Sequence, residues 1–123
     1  MAAILALTTV GTEQEANLLA EEILERRLGA CVNIVSGVRS IYRWKGRICK
    51  DSEYLLVIKS AESEYDALAE TIHELHSYEL PEILAVPVHH GDSGFLAWIA
   101  ECVDKDATFE DDLDDDDLVD DDE

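Results

Sequence analysis

Residues 31–59 read CVNIVSGVRSIYRWKGRICKDSEYLLVIK. Two runs rich in Val, Ile, Tyr and Trp flank Lys45-Gly46, and such runs around a glycine turn specify a β-hairpin. Each arm has room for about twelve residues, against the roughly 5–6 of an ordinary strand. Arms of that length project past the edge of a small domain unless something outside it pairs with them. Side chains alternate along a strand, so Tyr42 and Trp44 share one face. An aromatic pair so placed serves either as an interface or core stripe or as a ligand platform, the first being the commoner use.

On the N-terminal side of the hairpin, Ile4–Val10 is a short apolar run suited to a buried strand, broken at Gly11. Thr12-Glu13-Gln14-Glu15 then has the form of a capping box, with the Thr12 hydroxyl on the Glu15 amide and the Glu15 carboxylate reaching back. Ala16, Leu19, Ala20, Ile23 and Leu24 follow at helical spacing, and Gly29 stands where a helix-ending C′ residue is expected.

On the C-terminal side, Ser60 is placed to cap a second helix whose stripe is Tyr65, Leu68, Ile72 and Leu75. Pro81 ends the connection, Ile83–Val88 reads as another strand, and Asp92 caps a short helix carrying Phe95, Trp98, Ile99 and Cys102. The order is β-α-β-β-α-β with a terminal helix. It predicts the α+β class and a ferredoxin-like βαββαβ sandwich, an antiparallel sheet with two helices on one face.

Charge divides the chain. The 123 residues carry a net charge of -20, of which residues 104–123, with 13 acidic side chains and one lysine, hold -12. Residues 1–103 are expected to form the folded domain and 104–123 a disordered acidic tail, too charged and too poor in apolar residues to pack. Neither part offers the basic footprint that a phosphate backbone requires, so nucleic acid is excluded as a partner. The opening MAAILALTTV lacks a basic segment before its apolar run, and no stretch approaches the roughly 20 apolar residues of a membrane span. The expected place is the cytoplasm, with Cys31, Cys49 and Cys102 as reduced thiols; their odd number and wide spacing argue against a disulfide framework or a zinc site.

Chemistry concentrates in ELHSYELPEILAVPVHHGDS, residues 74–93. His76, Tyr78, Glu79 and Glu82 put an imidazole, a phenol and two carboxylates within seven residues. A carboxylate beside an imidazole orients it for metal binding or proton transfer. The plainer alternative is a turn, in which Glu79 pairs with a lysine, Tyr78 packs on the sheet and Pro81 sets the bend. Cys31 in its apolar strand reads first as a buried small hydrophobe and only second as a ligand. His73 and His90 read as surface residues, and His89 and His90 point to opposite faces. No nucleophile elbow, phosphate-binding loop or dinucleotide fingerprint is present, so no catalytic residue is assigned.

Together, RRLGACVNI, SIYRWKGRI, EYLLVIKS and HSYELPEILAVPVHHGDSGFLAWI resemble the CutA family of divalent-cation tolerance proteins over roughly residues 4–103. Cys31, Tyr42, Trp44, Glu53, Lys59, His76, Tyr78, Glu79, Pro81, Glu82 and Trp98 match the family pattern. Ser77 stands where proline is usual, and Ser60 where threonine is frequent. The resemblance implies a PII-like homotrimer in which the hairpin arms join neighbouring sheets, with a role in metal tolerance, copper binding, and no accepted catalytic activity.

The expected function is therefore a soluble trimer binding divalent cations, Cu(II) first among them, through His76, Glu79 and Cys31. A second reading is a sensor that binds a small anionic or nucleotide ligand between subunits, with Tyr42, Trp44, Lys59, Tyr78 and Trp98 around it. A third is a stable structural module whose tail recruits basic partners.

Overall fold

The computed structural model describes residues 2–107. Four strands, β1 (Ala3–Val10), β2 (Cys31–Trp44), β3 (Arg47–Ala61) and β4 (Leu84–Pro87), form one sheet in the order β2-β3-β1-β4. Every pairing is antiparallel. Three helices complete the chain: α1 (Glu13–Glu25), α2 (Tyr65–Leu75) and α3 (Ser93–Val103). The element order is the one read from the sequence. Of the expected tail, residues 108–123 lie outside those described.

The hairpin is the most extended element, with arms of 14 and 15 residues. Trp44 pairs with Arg47, leaving Lys45 and Gly46 as a two-residue loop with φ of 52° and 81°. Positive φ at both central positions is the turn whose twist matches that of the strands, and glycine takes it without steric cost. Ser36 and Gly37 stand together opposite Tyr54, since Val35 pairs with Leu55 and Val38 with Glu53. Such a bulge exchanges the faces of every β2 residue beyond it.

One sheet face carries the core. Ala6 and Val10 of β1 and Leu56 and Ile58 of β3 pack under Leu19 and Ile23 of α1 and Leu68 and Ile72 of α2, all buried. Truncating one of these Leu or Ile side chains to alanine costs about 2–5 kcal/mol by removing contacts and leaving a cavity. Ile99 and Val103 of α3 are buried apart from that cluster, against β3 and β1.

The opposite face is left open over much of its area. Leu7 lies between Val57 and Leu84 in register, and Leu5 between Lys59 and Val86. Leu84 and Val86 are 57% and 46% exposed.

Three local expectations are corrected. The α1 helix ends with Arg27, not Gly29, in the left-handed conformation (φ 57°), and Leu28 N–H donates to Ile23 O at 2.9 Å. The strain of about 1–2 kcal/mol at a non-glycine residue is offset by the Arg27 guanidinium, which donates to the carbonyls of Asp104 and Ala107. Gly29 is required instead by close packing, since a Cβ there would stand 2.9 Å from Ile58 Cγ2. Ser60 does not cap α2: it ends the core face of β3, its hydroxyl donating to Leu28 O at 2.6 Å, and a 3-10 turn at Glu62–Glu64 leads into the helix. Glu15 N–H does donate to Thr12 Oγ1, but the Glu15 carboxylate reaches across to Ser77 rather than back along α1.

Gly29→Ala tests the close approach of the α1–β2 connection to the sheet. The new methyl displaces Ile58 from a fully buried site, so denaturant unfolding is expected to show a loss of about 1–3 kcal/mol. An unchanged midpoint would show that the contact relaxes freely.

Candidate functional site

The hairpin turn fixes which residues meet. With Trp44 opposite Arg47, Tyr42 pairs with Cys49, Ser40 with Asp51 and Val38 with Glu53, and paired residues share a face. The bulge then brings this face into line with the open face of β1, where Thr9 pairs with Leu55. Tyr42, Trp44, Asp51 and Glu53 therefore form a continuous wall. The segment after α2 supplies the other side, and together they enclose a cavity of about 830 Å³ lined by residues of β1, the hairpin and the stretch 77–82.

His76 holds that second wall in place. Its side chain is fully buried at the end of α2. Nε2 lies 2.7 Å from Thr9 O, and Nδ1 accepts from Tyr78 N–H at 3.0 Å. A carbonyl only accepts, so the proton sits on Nε2 and the ring is neutral. Both nitrogens are thus occupied within the chain. The Glu15 carboxylate, 3.7 Å from Nδ1, spends its hydrogen bonds on the Ser77 amide and hydroxyl. Ser77 thus supplies an N–H and an O–H that tie the loop to α1.

The loop so fixed delivers Tyr78, whose ring lies 4.7 Å from that of His76 and whose hydroxyl donates to Glu53 Oε2 at 2.7 Å. Glu53 is 7% exposed. Nearer the hairpin tip, the Tyr42 hydroxyl donates to Asp51 Oδ2. Both phenols are held in the protonated form. The hydrogen bond to Asp51, helped by partial desolvation, pushes Tyr42 up to about 12. Tyr78 is raised as well, by burial first and then by its bond to Glu53.

The expected ligand sets separate in space. Glu79, Tyr42, Trp44 and Tyr78 line the cavity, but Cys31 and Lys59 do not. Those two face each other across β2 and β3, where the Lys59 ammonium donates to Asn33 Oδ1 and lies 3.8 Å from Cys31 Sγ. Trp98 packs on Phe95 of α3, outside the cavity lining. Among the described residues, no three or more His, Cys, Asp or Glu side chains gather to hold a metal ion. Within one chain, then, His76, Glu79 and Cys31 do not converge. Asp51 was not singled out from the sequence, and Glu53, on the return arm of the hairpin, was given no role there. The Lys45-Gly46 turn carried the signal for both, because a two-residue loop sets the register that places them beside Ser40 and Tyr42.

Fold and site define a mixed α+β protein with one helix-covered sheet face, one open apolar face and a carboxylate-lined cleft at the hairpin base. The model of the CutA1 divalent ion tolerance proteins matches residues 4–102. A divalent-cation tolerance protein CutA of Thermus thermophilus is 43% identical over 95 residues, 77% of this chain and 92% of its own. The chloroplastic protein CutA 1 of rice is 41% identical over 96 residues, 78% of this chain but 54% of its own, so the chain spans about half the length of that relative. The crystal structure of rice CutA1 superimposes with a TM-score of 0.83 at 37% identity, covering 85% of this chain and 96% of that one. The chain belongs to the CutA1 divalent ion tolerance family, as its motifs had indicated.

Alkaline titration followed by phenol absorbance checks the tyrosine–carboxylate pairs. A folded-state pKa above the unfolded value near 10 stabilises the fold below pH 10, and this stabilisation is lost as pH rises through about 12 at Tyr42. Asp51→Asn is expected to bring the Tyr42 transition down toward its ordinary range. Ionisation of every tyrosine with a midpoint near the ordinary value of about 10 in the unaltered protein would show that the pair does not form in solution.

Proposed function

We propose that the protein is a homotrimer of ferredoxin-like protomers, PII-like in assembly, that binds divalent cations at the hairpin cleft and so serves metal tolerance. The observation that carries the cation reading is Glu53. It is nine-tenths buried, its carboxylate accepts a hydrogen bond from a neutral phenol, and among the described residues no lysine or arginine lines the cavity around it. A buried carboxylate is stable when a positive charge accompanies it. Asp51, Glu79 and Glu82 line the same cavity and add to its negative field.

The donors of the cleft are oxygens, which suit Mg(II), Mn(II) or Ca(II). Cu(II), the metal expected from the imidazole and thiol inventory, requires His76 to give up its bond to Thr9 or Tyr78, or Cys31 to be brought in by another subunit. The open row of Leu5, Leu7, Leu84 and Val86 supports the trimer, which would cover it and give the long hairpin arms their partners. The anionic-ligand reading is weaker, because Lys59 lies away from the cleft and carboxylates line it. The module reading rests on a tail of which residues 108–123 lie outside those described. For location, the name of the rice relative places that protein in the chloroplast; among the described residues no helix is long and apolar enough to cross a membrane. The cytoplasm stays the proposed compartment.

Calorimetric titration of the full chain with Mn(II), Zn(II) and Cu(II) tests the site. Glu53→Gln with Glu79→Gln is expected to weaken the tightest binding by roughly tenfold or more, as loss of two charged donors implies. The acidic residues after Asp104 are untouched by these changes, so unaltered heats would assign the binding to diffuse attraction by the tail. The assembly is tested separately by Val57→Asp on the open face. Light scattering is expected to fall from trimer to monomer mass, and a persisting trimer would place the interface elsewhere.

A further inference from the structure

The cleft is large for a metal ion alone. Its volume of about 830 Å³ exceeds that of a cation with its waters, each of which occupies about 30 Å³. The walls are also of two kinds. Glu53 and Asp51 lie two residues apart on one face of β3, which places their carboxylates about 7 Å apart along the strand. Beside them stand Tyr42, Trp44 and Tyr78, with Leu80 and Pro81 closing the far side.

The hydrogen bonding leaves both carboxylates able to take a cation. Each accepts one phenol hydroxyl. An ionised carboxylate has about four acceptor positions, so a single phenol leaves room on each for further donors. Because the phenols point their hydroxyls at the carboxylates, they present carbon faces to the remaining space. The Trp44 ring already attracts a cation, with Lys45 Nζ at 5.7 Å from its centroid.

A bare divalent ion uses little of this. It is met by the carboxylates and leaves the aromatic faces unused. An alkyl diamine uses all of it: two ammonium groups span the two carboxylates, and the methylenes lie against Trp44 and Leu80. Resting on the cation reading of the same cleft, we propose that this site binds an organic dication, a short aliphatic diamine or polyamine, recognised by Asp51 and Glu53 at its charged ends and by Tyr42 and Trp44 along its chain.

The test is calorimetric titration of the full chain at physiological ionic strength with 1,4-diaminobutane as the probe. Three analogues of the same length accompany it: 1-aminobutane, 1,4-butanediol and succinate. Saturable diamine binding is expected, with the monoamine roughly tenfold weaker and no heat from the diol or the dicarboxylate. Glu53→Gln and the exposed Asp51→Asn are each expected to weaken the diamine by roughly tenfold. Trp44→Leu is expected to weaken the diamine several-fold.

Diamine affinity unchanged in Glu53→Gln and Asp51→Asn would overturn the proposal by assigning the heats to nonspecific attraction. Mn(II) binding without diamine binding would overturn it and leave the divalent-cation reading intact. Failure of both cations would remove both readings together.

Discussion

Strand β3 lies between β2 and β1, and its alternation governs both faces of the molecule. Leu56, Ile58 and Ser60 point toward the helices, so Glu53, Leu55, Val57 and Lys59 must point away from them. A slip of one residue in this strand would bury Lys59 and Glu53 among Leu19, Ile23 and Leu68 and expel the core residues. The cost of that exchange, several kcal/mol for each charge moved into an apolar core, is what pins the register on both sides. The bulge at Ser36-Gly37 extends the constraint to the hairpin tip. Without it, Tyr42 and Trp44 would fall on the face of β3 opposite to Glu53, and the cleft would lose its aromatic wall.

The site depends on the fold through a short relay. Thr9 at the end of β1 receives the His76 Nε2–H, His76 accepts from the Tyr78 amide, and Tyr78 places its hydroxyl on Glu53. Each link uses a buried or half-buried group whose loss would leave its partner unsatisfied. His76 is therefore a positioning residue for the loop at 77–82. A histidine and a glutamate three residues apart, His76 and Glu79, read in sequence as a ligand pair, but here the imidazole is consumed in shaping the wall, and the carboxylate that matters most comes from β3.

Other features could be read in advance because they rest on local rules. The Thr12 and Asp92 caps, the Lys45-Gly46 turn and the stripe of Leu68 and Ile72 depend only on residues within a turn or two of one another. The misreadings share a cause. Gly29 and Ser60 look like a helix stop and a helix start, yet both are fixed by contacts with residues distant in sequence, Gly29 by the approach of Ile58 and Ser60 by its bond to Leu28 O. Glu15 has the spacing of a capping box, but Ser77, far away in sequence, offers its carboxylate two donors.

The sequence by itself determined the element order, the hairpin and its turn, the α+β class and the family, since these follow from periodicity, turn chemistry and motif spacing along the chain. Only the tertiary structure decided which of the acidic and aromatic residues share a cavity. That outcome depends on a bulge that changes strand parity, on a neutral histidine spent on backbone groups, and on a carboxylate whose burial without a base becomes visible once the strands are paired. Cys31 and Lys59 show the same limit from the other side. The family pattern names them with the site, and the register of β2 on β3 sets them together, away from the cleft.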